Sequence, residues 1–100
     1  MFGLVMRFTL KPNGWAAWEA LDRRWEAQQA PRAPGFKGAY LLREQKAPDR
    51  CIMLVLFENE ALARQNSERP ETQQWYQEAL QLVEGEIEFI DTDVAKSYLL

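Results

Sequence analysis

The sequence predicts one α+β domain of the ferredoxin-like plan, in the order β-α-β-β-α-β with a four-stranded antiparallel sheet. Three observations predict it. Four segments show the alternating or continuous apolar pattern of strands, two regions show apolar residues at helical spacing, and Gly and Pro residues separate these segments. The 100 residues correspond to a single domain, 1–100, with no repeat or linker.

The first strand and the first helix occupy the N-terminal third of the chain. Residues 2–10 alternate between an apolar face and a mixed face, as a strand with one covered side does. In residues 14–29 the large apolar side chains fall within a stripe about 120° wide around a helix. These side chains are Trp15, Trp18, Leu21 and Trp25. Pro31 and Pro34 end the helix, and Gly35 provides a turn.

Two strands follow this turn. Residues 36–45 alternate again, and the alternation predicts one shared face for four of them. That face carries Phe36, Gly38, Tyr40 and Leu42. Residues 51–57 are apolar on both faces, which is typical of a strand buried on both sides. A turn at 46–49 joins the two strands.

The remaining elements are a helical region in two pieces, a last strand and a tail. A short helix at 61–66 is interrupted before Pro70, which is well suited to the first position of the next helix. Trp75 lies in the apolar stripe of that second piece, and Gly85 ends it. Residues 86–92 form the final strand, and residues 93–100 form an apolar tail.

The strand at 51–57 raises a question about the second face of the sheet. Helices cover only one face in this plan, yet this strand offers large apolar side chains to both. A bare apolar face marks an interaction site. We therefore expect a homodimer in which two sheets face each other as an α+β barrel, with the tail 93–100 at the interface.

Composition excludes several classes of function. The net charge is −3 and no basic stripe is visible, so nucleic acid is not expected as a partner. No apolar run approaches the length of about 20 residues that a membrane span requires. The single cysteine, Cys51, rules out an internal disulfide and fits a cytoplasmic location. Histidine is absent, which excludes Ser-His-Asp catalysis and zinc or haem sites that need it. We expect no metal and no cofactor.

The chain resembles the antibiotic biosynthesis monooxygenase (ABM) domain family of the dimeric α+β barrel superfamily. The resemblance covers residues 2 to about 92. It is carried by the first strand, the helix with Trp18 and Trp25, the Pro34–Gly38 turn, residues 52–57, the Glu-Ala-Leu-Ala run at 60–63, and Trp75.

The resemblance implies a dimer with a pocket between sheet and helices in each protomer. It also implies either oxidation of aromatic phenolic or quinol substrates without metal or flavin, or degradation of haem. Family members often carry a histidine shortly after the Glu-Ala-Leu run, and Gln65 stands there in this chain, followed by Asn66. Glutamine is neither a base nor a ligand for haem iron, so histidine-ligated haem degradation is not expected.

The candidate site residues follow from this family resemblance and from side-chain chemistry. Asn66 and Trp75 are the catalytic candidates, by hydrogen bonding to reduced oxygen or a carbonyl and by stacking on the substrate. The candidates for substrate binding are Trp15, Tyr40, Phe57 and Gln65. Each has a structural alternative: the aromatic residues can belong to the core, and amides at a helix interruption often act as caps.

Three functions remain open from the sequence. The first is a cofactor-free monooxygenase of an aromatic small molecule. The second is a non-catalytic module that binds such a molecule. The third is a structural dimerisation domain with a completely filled core. A cavity between the sheet and the helices would favour the first two over the third, and a base or donor in that cavity would favour the oxygenase over the binding module.

Overall fold

A computed structural model describes all 100 residues and contains a four-stranded antiparallel sheet with helices on one face. The elements are β1 (Phe2–Leu10), α1 (Trp15–Gln28), β2 (Phe36–Arg43), β3 (Arg50–Phe57), α2 (Glu60–Ser67), α3 (Pro70–Leu80) and β4 (Val83–Asp93). A short 3-10 turn at Ala30–Arg32 follows α1. The strand order is β2-β3-β1-β4, which confirms the predicted fold class and element order.

The starts of α2 and α3 lie where local chemistry predicts, but the prediction that Gly85 ends the last helix is wrong: α3 ends at Leu80, and Gly85 lies within β4. Asn59 caps α2, since its side-chain oxygen accepts a hydrogen bond from the backbone N–H of Leu62 at 2.9 Å. Pro70 is the first residue of α3, where its missing N–H costs no helical hydrogen bond. The break between α2 and α3 turns the chain, so that both helices can lie over the same face of the sheet.

The main core lies between α1, α3 and the inner face of β1. Trp18 and Leu10 are almost completely buried there, together with Met6 and Phe8. A smaller cluster of Phe2, Phe57 and Ala63 lies under α2. These clusters fix the helices to the sheet at both ends and leave a space between them.

A β-bulge in β2 changes the face on which Phe36 lies. Phe36 pairs with Phe57, but the next pair is Gly38 with Leu56, so Lys37 is an extra residue on this strand. Gly38 has a φ of 146°, which only glycine adopts readily. The prediction that Phe36 shares a face with Tyr40 and Leu42 is therefore wrong: Phe36 points toward the helices, while Tyr40 pairs with Leu54 on the opposite face.

No helix covers the outer face of the sheet. Ile52, Leu54 and Leu56 alternate onto it from β3, and they are only partly buried. Tyr40 and Leu42 from β2 are 60% and 54% exposed on the same face. The tail after Asp93 has no regular structure, and its last three residues, Tyr98, Leu99 and Leu100, are largely exposed. The single chain therefore presents one apolar sheet face and an apolar tail.

Candidate functional site

A pocket of about 530 Å³ lies between the inner face of the sheet and the three helices. Of its 19 lining residues, 12 are hydrophobic. The sheet forms the apolar floor, which carries Leu4, Met6, Met53, Val55 and Phe57. The polar side chains come from the three helices: Asp22, Glu26, Asn66, Ser67, Thr72 and Gln73. A mostly apolar space with a few convergent polar groups is typical of a small-molecule site.

Asp22 is the ionisable group that the pocket perturbs most. It lies on α1, and its carboxylate oxygen Oδ2 accepts a hydrogen bond of 3.0 Å from Nε1 of Trp18. Burial raises the pKa of Asp22 from 3.8 to about 6, because an apolar surrounding disfavours the charged form. The Trp18 hydrogen bond opposes this rise in pKa, and the negative charge of Glu26 adds to it. A carboxyl group with a pKa near 6 can accept a proton and release it close to neutral pH.

Three other polar atoms in the pocket wall are buried without a hydrogen-bond partner in the protein. They are Oδ1 of Asn66, Oγ1 of Thr72 and Nε1 of Trp75. Such a group costs about 1–3 kcal/mol when it stays unpaired, so each would gain stability from a ligand hydroxyl or carbonyl that reached it. The indole N–H can only donate, whereas the amide oxygen can only accept. A ligand that pairs with both atoms therefore carries an acceptor for the indole N–H of Trp75 and a donor for the amide oxygen of Asn66.

Aromatic rings form one side of the pocket. Trp25 packs edge-on against Phe36 with ring centroids 5.2 Å apart, and Phe36 packs against Phe57 at 5.8 Å. Tyr76 and Phe89 form a second pair at 5.4 Å. Flat aromatic walls of this kind match a flat aromatic ligand.

Three of the six residues predicted from the sequence line this pocket. Asn66 is almost completely buried, and its side chain makes no capping hydrogen bond. Trp75 is half-buried, and Phe57 is buried at the floor. The structure brings these three side chains together around one space, although they come from α2, α3 and β3.

The other three predicted residues lie outside the pocket. Trp15 packs on the edge of the core, where the Arg43 guanidinium lies 4.1 Å from its ring centroid. Tyr40 lies on the outer face of the sheet, because its register opposite Leu54 turns it away from the helices. Gln65 is exposed on α2, one residue before the buried Asn66.

Sequence reasoning missed Asp22, although a signal was present. Asp22 follows Trp18 by four residues and precedes Trp25 by three, so it falls inside the apolar stripe of α1. A carboxylate within such a stripe faces the core rather than water. The hydrophobic pattern alone does not show that a cavity lies in front of it.

The structure brings together no group of three His, Cys, Asp or Glu side chains that could hold a metal ion. None of its helices combines the length and the apolar character needed to cross a membrane.

Known protein structures with the same arrangement cover nearly the whole chain. SnoaB, a cofactor-independent oxygenase from Streptomyces nogalater, superposes with a TM-score of 0.84 at 21% identity, over 96% of this chain and 94% of SnoaB. A proposed antibiotic biosynthesis monooxygenase from Nitrosomonas europaea superposes at 0.79 with 14% identity, over 96% of this chain and all of that one. A conserved protein from Methanosarcina mazei superposes at 0.81 with 14% identity, over 91% and 89% of the two chains.

No protein-family model and no curated protein sequence matches this chain. The structural similarity extends over all four strands and all helices, as the coverage shows. The chain therefore has the fold of the antibiotic biosynthesis monooxygenase domain proteins, as its sequence resemblance implied.

Proposed function

We propose that this protein binds a flat, aromatic phenolic or quinol-type molecule in the pocket under its helices and oxidises it with O2 without a cofactor. The observation that carries the proposal is Asp22, an acid with a pKa of about 6 in the wall of a largely apolar pocket. The fold shared with SnoaB, a cofactor-independent oxygenase, supports the same reaction class.

The proposed reaction uses Asp22 as the base. Its carboxylate takes the acidic proton of the substrate, and the resulting electron-rich anion transfers one electron to O2. Superoxide and the substrate radical then combine, which forms a carbon–oxygen bond and gives a hydroperoxide after protonation. Loss of water from the hydroperoxide leaves a carbonyl, so that one oxygen atom enters the product and the other enters water.

Asn66 and Trp75 have different roles in this proposal. The ring of Trp75 stacks on the substrate, and its Nε1–H donates to a substrate carbonyl or to reduced oxygen. Oδ1 of Asn66 accepts from a substrate hydroxyl. Both atoms are buried in the pocket wall without a protein partner, which supports their assignment to a ligand. One structure of SnoaB is of a variant in which an asparagine is replaced by alanine.

An anthrone is a suitable probe, since its oxidation to an anthraquinone consumes one O2 per molecule and is followed by absorbance. We expect turnover above the buffer rate, with O2 uptake and quinone formation in equal amounts. Asp22→Asn should reduce kcat by about 100-fold or more, because a positioned base contributes about 10²–10⁴-fold. Asn66→Ala should also reduce it, whereas Gln65→Ala, which removes the neighbouring exposed amide, should not.

The same measurement separates the alternatives. Saturable binding of the anthrone without O2 uptake would indicate a non-catalytic binding module rather than an enzyme. Full activity in the Asp22→Asn variant would show that Asp22 is not the base. The purely structural alternative requires a filled core, and a space of about 530 Å³ disfavours it.

A second copy of this chain is the proposed cover for the outer face of the sheet. Ile52, Leu54 and Leu56 form an apolar strip there, flanked by the exposed side chains of Tyr40 and Leu42. A strip of this kind is self-complementary about a two-fold axis. The exposed apolar end of the tail 93–100 then gains a partner on the second copy. Sedimentation should give a mass near twice 11.7 kDa, and a monomer at micromolar concentration would contradict the dimer.

A further inference from the structure

We infer that the indole of Trp18 is a positioning group for Asp22, holding one carboxylate oxygen so that the other is presented to the ligand in the pocket. The inference rests on the proposed role of Asp22 as the base. It assigns a function to the most deeply buried side chain of α1, which the sequence pattern alone would place in the core.

The packing of Trp18 fixes its N–H in space. Trp18 has no exposed surface, and its ring stacks on Phe8 with centroids 4.3 Å apart and an interplanar angle of 27°. Trp75 contacts it edge-to-face at 5.5 Å. An indole held between two rings in this way has one available orientation. Its Nε1–H donates to Oδ2 of Asp22 at 3.0 Å in that orientation.

This hydrogen bond distinguishes the two oxygens of the carboxylate. Oδ2 is occupied by Trp18, while Oδ1 accepts no hydrogen bond from the protein. Asp22 lines the pocket, so Oδ1 is the atom available to a substrate proton. Precise placement of a base by a second group is a general requirement for efficient proton transfer.

No other group in the pocket wall compensates the negative charge of Asp22. The titratable side chains that line the pocket are Asp22 itself, Glu26 from the same helix and Tyr76 from α3. The sheet and α2 contribute no titratable side chain to the wall, and no Lys or Arg lines it. Burial and the charge of Glu26 both raise the pKa of Asp22 and so favour its neutral form. The hydrogen bond from Trp18 acts in the opposite direction and favours the charged carboxylate.

An NMR titration of the intact protein tests the contact without any substrate. In a 15N–1H spectrum, the indole resonance of Trp18 should shift with pH and show a midpoint at the pKa of Asp22, about 6. The shift should disappear in Asp22→Asn. The indole resonance of Trp15, one turn earlier on the same helix and outside the pocket, serves as the internal control. A Trp18 resonance that does not titrate would overturn the inference.

A pH–rate profile tests the consequence for the reaction. Trp18→Phe keeps an aromatic ring in the core but removes the donor, so the acidic limb of kcat/KM should move up by about one pH unit. At pH 6 this corresponds to a rate several-fold below that of the wild-type protein, with a smaller difference at pH 8. Trp15→Phe is the matched control and should leave the profile unchanged.

The outcomes separate this inference from the proposed function. If Trp18 titrates but Trp18→Phe has a wild-type profile, the inference fails and Asp22 remains the base. If the wild-type protein has no oxygenase activity, the proposed function fails and the role of Trp18 as a positioning group fails with it, even where the NMR contact is present. If Trp18→Phe does not fold, the indole titration alone decides whether Trp18 holds Asp22.

Discussion

Replacing Asp22 with asparagine should stabilise the protein at neutral pH. The pKa of Asp22 is raised from 3.8 to about 6 in the folded state, first by burial. The folded protein therefore binds this proton more tightly than the unfolded chain does. The free energy of unfolding therefore falls as the pH rises from about 4 to 6, and above pH 6 the full destabilisation by the buried charge is present. The amide that replaces the carboxylate carries no charge at any pH, so the variant has no such penalty.

The size of the effect follows from the shift in pKa. A change of about two units corresponds to about 3 kcal/mol at about 1.36 kcal/mol per unit. Asp22 is only partly buried, and solvent screening reduces this value. We therefore expect Asp22→Asn to be more stable by about 1–2 kcal/mol at pH 7, which is a rise in Tm of about 4–16 °C for a domain of this size.

Urea unfolding between pH 4 and pH 8 measures this difference. All samples should have the same protein concentration, because an associating protein gains stability with concentration. The stability difference between Asp22→Asn and wild type should grow from near zero at pH 4 to its full value above pH 6. Asp49→Asn, which removes an exposed carboxylate from the β2–β3 turn, is the control for the loss of one surface charge. A variant that is equally stable or less stable at every pH would refute the reasoning.

Two further predictions concern the fold and the assembly. Gly35 has a φ of 78°, and a Cβ there would lie 2.5 Å from Cδ1 of Leu62, so Gly35→Ala should cost about 2 kcal/mol in thermal or urea unfolding. Gly85→Ala has a similar φ of 69° but open space, and should cost only about 1 kcal/mol; equal costs would contradict the role of the Leu62 contact. Leu54→Glu should convert the proposed dimer into a monomer by sedimentation, since it places a charge in the apolar strip of β3. Gln77→Glu adds the same charge to an exposed position of α3 and should leave the mass unchanged.

The elements of the fold were predictable because each has a strong local signal. Alternation over residues 2–10 and helical spacing around Trp18 both reflect burial on one face, and Pro70 marks a helix start. The face of Phe36 was not predicted, because the bulge at Lys37 shifts the alternation by one residue. An isolated glycine within a strand, here Gly38, is a known signal for such a bulge.

The site was only partly predictable because it depends on how distant elements pack. Asn66, Trp75 and Phe57 were identified as individual residues, and they converge only after α2 and α3 lie over β3. Tyr40 lies on the outer face because strand pairing, not composition, decides which face a residue takes. The burial of Asp22 depends in the same way on the space left between the two clusters of the core.

Asp22 combines a stability cost with a place in an open pocket, and this combination argues for a function. A residue selected for stability alone would be apolar at this position of α1, because a carboxylate without a cation partner in an apolar wall is unfavourable. Residues that destabilise the fold and shift their pKa toward neutrality occur preferentially at functional sites. The two effects of Asp22→Asn are therefore linked: higher stability at pH 7 together with loss of oxygenase activity identifies a functional acid. Higher stability with unchanged activity identifies only a tolerated buried charge.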